Sequence, residues 1–279
     1  AIPIRTPFVL RADGSDPDGD TVTYLWEQND AGPPAVGASL ITPEKATGPL
    51  FRTFGTAARF ADPDDTYEYE SPGENLAGTD PARSFPDIDQ VLADNTNAQT
   101  GVCPPGIPTS PAYVDCSSEF LPTASWVGTD GTGVMHFRMT ARDNHAGAGG
   151  TAIADTAVRL EKGAGPFRVL GVIPQAGLVL WDPARTDTLL GVGEVRITLS
   201  TDGGRTFPIE LGRTANLGAF TATWPAGAPT GMPGWPMRWP KGRPPLWAPA
   251  RRTNLPPPAC SRPARPTFRW RTAARRLRR

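Results

Sequence analysis

The sequence predicts an all-β protein: two tandem β-sandwich domains, the second incomplete, followed by a disordered basic tail rich in Pro and Arg. Three observations carry that expectation. The run SDPDGDTVTYLWEQ, from Ser15 to Gln28, sets a crowded acidic turn directly before a strand of period two. A second set of period-two segments fills the region from Phe167 to Pro225. Finally, 33 Pro and 30 Gly in 279 residues imply many turns and few long helices.

The first domain is expected over residues 1–163, with four strands. In the first, Phe8, Leu10 and Ala12 alternate with Val9 and Arg11. In the second, Val22, Tyr24 and Trp26 share one face, with Thr23, Leu25 and Glu27 on the other. In the third, GVMHFRMTARD, Met135, Phe137 and Met139 oppose His136, Arg138 and Thr140. In the fourth, DTAVRLEK, Thr156, Val158 and Leu160 oppose Ala157, Arg159 and Glu161. Residues 29–130 interrupt this pattern and read as a long irregular insertion, because a structureless loop of that length does not suit a compact domain. Within it, GPLFRTF reads as a strand, and Ile88, Val91 and Leu92 stand at helical spacing.

GAGP at Gly163–Pro166 marks a boundary, and the second domain is expected over 166–225. Its segments are FRVLG, LVLWDP, EVRITLS, TFPIELGR and AFTATWP. The clearest is a hairpin in which Val195, Ile197 and Leu199 alternate on one arm and Phe207, Ile209 and Leu211 on the other, around Asp-Gly-Gly. An immunoglobulin-like sandwich needs about 100 residues, so this domain reads as truncated before its last strands.

The net charge of zero hides a split. Residues 226–279 carry 13 basic and no acidic residues, which leaves 28 − 13 = 15 basic against 28 acidic in residues 1–225. The tail also holds 12 Pro and 4 of the 8 Trp, with no period of 2 or 3.6. A nucleic-acid or anionic-surface segment, a disordered linker and translation of a GC-rich gene in a shifted frame all compete. The frame shift accounts for the interrupted domain and the abrupt change of charge together, so nucleic-acid binding is not favoured. No run of about eighteen apolar residues offers a membrane span. The chain begins at Ala1 inside what reads as a strand, which suggests a cut from a longer protein.

Cys103 and Cys116 are 13 residues apart in a loop rich in Pro and Ser, which reads as a disulfide and an oxidising, extracellular setting. Cys260 is left over in the tail. Zinc is not expected, since no CxxC occurs and His136 and His145 are the only histidines.

Asp16, Asp18 and Asp20 crowd three carboxylates into five residues, and the loop holding Asp143 and Asn144 should lie at the same end of the sandwich. Four converging carboxylates suggest calcium, which prefers hard oxygen ligands. The competing reading is a turn in which Asp side chains cap backbone N–H groups. An EF-hand is excluded, because its loop needs Gly at the sixth position, where Thr21 stands. Ser200, Asp202, Gly204, Thr206 and Phe207 fit S-x-D-x-G-x-T-aromatic and resemble the Asp-box hairpin of sialidase propellers. A single copy argues for a structural turn over a propeller blade. Trp26 and Trp181 read as core residues.

Taken together, TPFVLRADGSDPDGDTVTYLWEQND, RSFPDIDQVLADNTNAQTG, FRMTARDN, GAGPF and VRITLSTDGGRTFP resemble the accessory region of bacterial reprolysin-like secreted zinc metallopeptidases, with PKD-like and cadherin-like modules. The resemblance covers most of residues 1–225 and none of the tail. It implies a non-catalytic, secreted accessory region whose partner is an upstream catalytic domain. The H-E-x-x-H zinc signature is absent from this chain. An independent adhesion or carbohydrate-binding module, with an extracellular protein or glycan as partner, is the alternative. A sialidase-like glycosidase fragment ranks third.

Overall fold

The structure, a computed structural model, describes residues 1–32, 45–51, 77–105, 111–225 and 269–270. It is an all-β architecture of short sheets built around two separate hydrophobic clusters.

The first unit has strands β1 (Ile2–Pro3), β2 (Phe8–Arg11), β3 (Gly14–Ser15), β4 (Thr23–Gln28), β5 (Ala82–Phe85), β6 (Val134–Arg142) and β7 (Thr151–Glu161). One sheet runs β1-β7-β6-β4, with β1 parallel to β7 and the other pairs antiparallel. The other pairs β2 antiparallel to β5. Their inward residues meet in one core, because side chains alternate faces along a strand. Tyr24 and Trp26 from β4, Met135, Phe137 and Met139 from β6, and Val158 from β7 are all buried there. The Phe8 and Phe85 rings stack at 5.0 Å, and Phe137 meets Phe85 edge-on at 4.9 Å. Aromatic pairs in such geometries add about 0.5–1.5 kcal/mol beyond their burial. The Trp26 indole N–H donates to the Pro81 carbonyl at 3.0 Å, so its polar end is satisfied inside the core.

Helices α1 (Ile88–Leu92) and α2 (Pro111–Ser118) cover this core from the stretch read as an insertion. Asp87 caps α1, its carboxylate accepting from the Asp89 N–H at 2.7 Å. Just beyond α2 comes Glu119, fully buried and paired at 2.5 Å with Arg83, whose side chain is only 5% exposed. The other Glu119 oxygen accepts from the Asp87 N–H at 2.6 Å, and Arg83 also donates to the Trp26 carbonyl. Burial pushes the Glu119 carboxyl up, to about 7, while Arg83 pulls it down. Cys103 and Cys116 form the disulfide, with their Cα atoms 5.8 Å apart.

The second unit contains β8 (Arg168–Ile173), β9 (Leu178–Asp182), the single-turn α3 (Thr186–Leu189), β10 (Glu194–Leu199), β11 (Ile209–Ala215) and β12 (Ala219–Thr221). The sheets are β12-β9-β8 and the β10–β11 hairpin. Phe167, Val179, Trp181, Val195 and Ile197 form its core. Trp181 donates to the Asn216 carboxamide at 2.8 Å, and Asn216 in turn donates to the Thr186 hydroxyl and the Val192 carbonyl. A Cβ on Gly212 would lie 2.6 Å from the Phe220 ring, so the crossing of β11 and β12 requires glycine there.

Strand β5 lies inside the stretch read as irregular, and α1 spans five residues, short of two turns. β7 begins at Thr151, four residues before the expected segment, because β6 offers it a partner as far as Arg142. Exposed Ile153 inverts the local pattern and hides that start. The end of GPLFRTF lies outside the described residues, and Phe51 forms an isolated bridge to Glu119. The tail lies outside them too, apart from Arg269–Trp270, a short strand β13 antiparallel to β3. No helix among the described residues is long and apolar enough to cross a membrane.

Replacing both Cys103 and Cys116 with Ser should lower stability by about 3 kcal/mol, the chain-entropy value for a loop of this length. A urea titration with an unchanged midpoint would show that the bond does not constrain the unfolded chain.

Candidate functional site

The two acidic loops expected at one end of the first sheet do meet. Asn144 donates to the Thr21 carbonyl at 3.3 Å and to the Thr23 hydroxyl at 3.0 Å. His145 Nδ1 lies 2.7 Å from Asp20 Oδ2. The turn is fixed from within by Asp16, whose Oδ2 accepts the N–H groups of Asp18 at 3.0 Å and Asp20 at 2.8 Å. Gly19 follows at φ +85°, in the left-handed region that favours glycine.

Asp143 is buried and does the equivalent work in the opposite loop. It accepts from the His145 N–H at 3.1 Å and, with both oxygens, from the Gly150 N–H at 2.8 Å. These backbone N–H donors hold its carboxyl below the usual range. Asp18 is exposed. The carboxylates are thus arranged around backbone N–H groups and one imidazole. Among the described residues, no group of three or more His, Cys, Asp or Glu side chains is placed to hold a metal ion.

The Asp-box residues form a closed hydrogen-bonded turn. The Ser200 hydroxyl donates to Asp202 at 2.7 Å and accepts the Gly204 N–H at 2.8 Å. Asp202 also accepts the N–H groups of Arg205 and Thr206 and, at 2.5 Å, the Thr206 hydroxyl. The Thr206 donors, followed by Ser200, hold the Asp202 carboxyl far below the ordinary carboxylate range. Phe207 is half-buried and is not a member of the second core, so it does not anchor the turn there. Trp26 and Trp181 are both buried, which removes them as sugar-stacking platforms.

Sequence reasoning passed over a second polar cluster. Gln28 accepts the Leu50 and Phe51 N–H groups and donates to Asp30 at 2.6 Å. Asp30 in turn contacts His136 Nδ1 at 2.8 Å. The signal was the Gln at the inward position of WEQ, a polar residue where alternation calls for an apolar one.

A cleft of about 90 Å³ opens between the two units, with Ile2, Val9, Val158, Phe167 and Leu190 in its wall. It falls well short of the roughly 300–1,000 Å³ of small-molecule sites. No titratable side chain lines it. Comparison with known proteins finds no matching family model, no matching curated protein and no matching solved structure.

The His145–Asp20 contact gives a pH prediction. The Asp20 hydrogen bond and charge, with help from Asp143 and Asp18, raise the His145 pKa above 6.5. A raised folded-state value contributes stability that is complete below about 6.5 and is lost as pH rises through the folded value. The urea midpoint of wild type should exceed that of His145→Gln at pH 5.5, and the gap should narrow as pH rises above 6.5. A difference independent of pH would refute the pairing.

Proposed function

We propose that this chain is a non-catalytic accessory region of a secreted bacterial zinc metalloprotease. In this reading it comprises two tandem immunoglobulin-like sandwiches, the second incomplete. It acts outside the cell as a spacer, stabiliser or anchor for a catalytic domain carried upstream in the same protein. The observation that carries the reading is the use of the polar residues. Asp143 gives both oxygens to backbone N–H groups of its own turn, and Asp16 gives one oxygen to the Asp18 and Asp20 N–H groups. Asp202 bonds backbone N–H groups and the Ser200 and Thr206 hydroxyls. A reaction centre instead holds titratable groups in a pocket with hydrogen-bonding capacity free for substrate.

The buried tryptophans and the small apolar cleft count against the carbohydrate-binding alternative, which needs exposed, coplanar rings. The Cys103–Cys116 bond supports an oxidising compartment. The motif resemblance supplies the metalloprotease context.

Two measurements test the proposal together. The reading frame upstream of codon 1 should encode an H-E-x-x-H-bearing domain, and the purified chain should leave casein and fluorogenic glycosides uncleaved. Turnover by this chain, lost on a single substitution within residues 1–225, would overturn the non-catalytic assignment. An upstream frame without a peptidase domain would overturn the context.

A further inference from the structure

The Asp-box turn reaches out of the second unit. Arg205, at its tip, places a guanidinium nitrogen 2.9 Å from Asp89 in the first turn of α1, a helix of the first unit. We propose that this turn is a strap that fixes the angle between the two units, with α1 as its receiving element.

Both ends of the strap are held rigidly. On one side the Arg205 and Thr206 N–H groups are locked by Asp202, which sets where the Arg205 side chain leaves the turn. On the other side Asp89 sits in a helix capped by Asp87, and the Asp87 N–H is bound to Glu119, the partner of Arg83. A continuous set of contacts therefore runs from the ion pair in the first core to the turn of the second unit.

A single exposed ion pair would not orient two units unless another contact worked beside it. The joint supplies that contact. The Ile4 N–H donates to the Ala164 carbonyl at 2.9 Å, and the Phe167 N–H donates to the Thr6 hydroxyl at 3.0 Å. The Gly165 N–H donates to the Ala184 carbonyl at 2.8 Å. A Cβ on Gly165 would fall 2.3 Å from the Ile4 carbonyl oxygen, so the backbone passes too closely for any other residue. The Arg205–Asp89 contact stands apart from the joint, so it restrains any rotation that the joint contacts allow. Because both of its side chains are about three-fifths exposed, the pair contributes little to folding and is weakened by salt.

This deepens the spacer reading above, on which it rests: a strapped pair of units holds a fixed length where a free linker would not. The test uses the full chain with Cys260→Ser and spin labels at Thr151→Cys on β7 and Ala219→Cys on β12, both exposed strand positions. Pulsed electron paramagnetic resonance should give one narrow distance distribution in 0.1 M NaCl. Arg205→Ala and Asp89→Ala should each widen it, about twofold, with Tm changed by no more than about 2 °C. The double variant should be no wider than either single one, and 1 M NaCl should reproduce the effect in wild type. The charge-swapped pair Arg205→Asp with Asp89→Arg should restore the narrow distribution. Gly165→Ala, which disturbs the joint itself, shows that the labels report the angle. An unchanged distribution in Arg205→Ala, alongside a wider one in Gly165→Ala, would overturn the strap. It would leave the accessory-region reading untouched, since that rests on the upstream sequence and the absence of turnover.

Discussion

The buried pair of Arg83 and Glu119 is the constraint around which the first unit is arranged. Three segments far apart in sequence meet on it: β4 through the Trp26 carbonyl, β5 through Arg83 itself, and the α2 exit through Glu119. Glu119 then holds the Asp87 N–H and, by the Phe51 bridge, the strip of chain before it. Two charges removed from water stabilise a fold only when their remaining hydrogen-bonding capacity is met. Here both carboxylate oxygens are engaged and Arg83 makes a second bond to a backbone carbonyl, although its buried Nε has no hydrogen-bond partner. Burial raises the Glu119 pKa to about 7, a desolvation cost that Arg83 offsets only in part. The Cys103–Cys116 bond ties down the same end of α2, three residues before Glu119.

Elsewhere the same chemistry recurs at smaller scale. Asp16, Asp143 and Asp202 each fold a turn around a carboxylate that accepts backbone N–H groups. Such groups are costly to leave unmet, so a short acidic side chain is an effective organiser of a tight turn. Beside these turns, the two cores are joined by backbone contacts at Ile4–Ala164 and Gly165–Ala184 and by the Phe167 N–H on the Thr6 hydroxyl.

The strands that alternate cleanly were legible. Met135, Phe137 and Met139 are buried in β6 as period two requires, and the β10–β11 hairpin turns at the Asp-Gly-Gly segment. The disulfide followed from two cysteines in a polar loop, and the meeting of the two acidic loops followed from strand order. Strand β5 was not legible, because its inward position holds Arg83, and a charged residue reads as outward until its partner 36 positions away is known. The start of β7 was hidden by Ile153, an apolar residue on the exposed face. The contact of Asp20 with His145 could not be read from spacing alone. His145 comes from a different strand connection, and only the fold brings them together.

Thermodynamic coupling between Arg83 and Glu119 tests this account most directly. In a chemical-denaturation cycle, Arg83→Met and Glu119→Leu should each lower stability by about 3–5 kcal/mol, because each leaves a buried charge without its counterion. The double variant should lose far less than the sum of the two, since it buries no charge at all. Single variants within about 1 kcal/mol of wild type, or a double variant whose loss is simply additive, would show that the first unit does not depend on this pair.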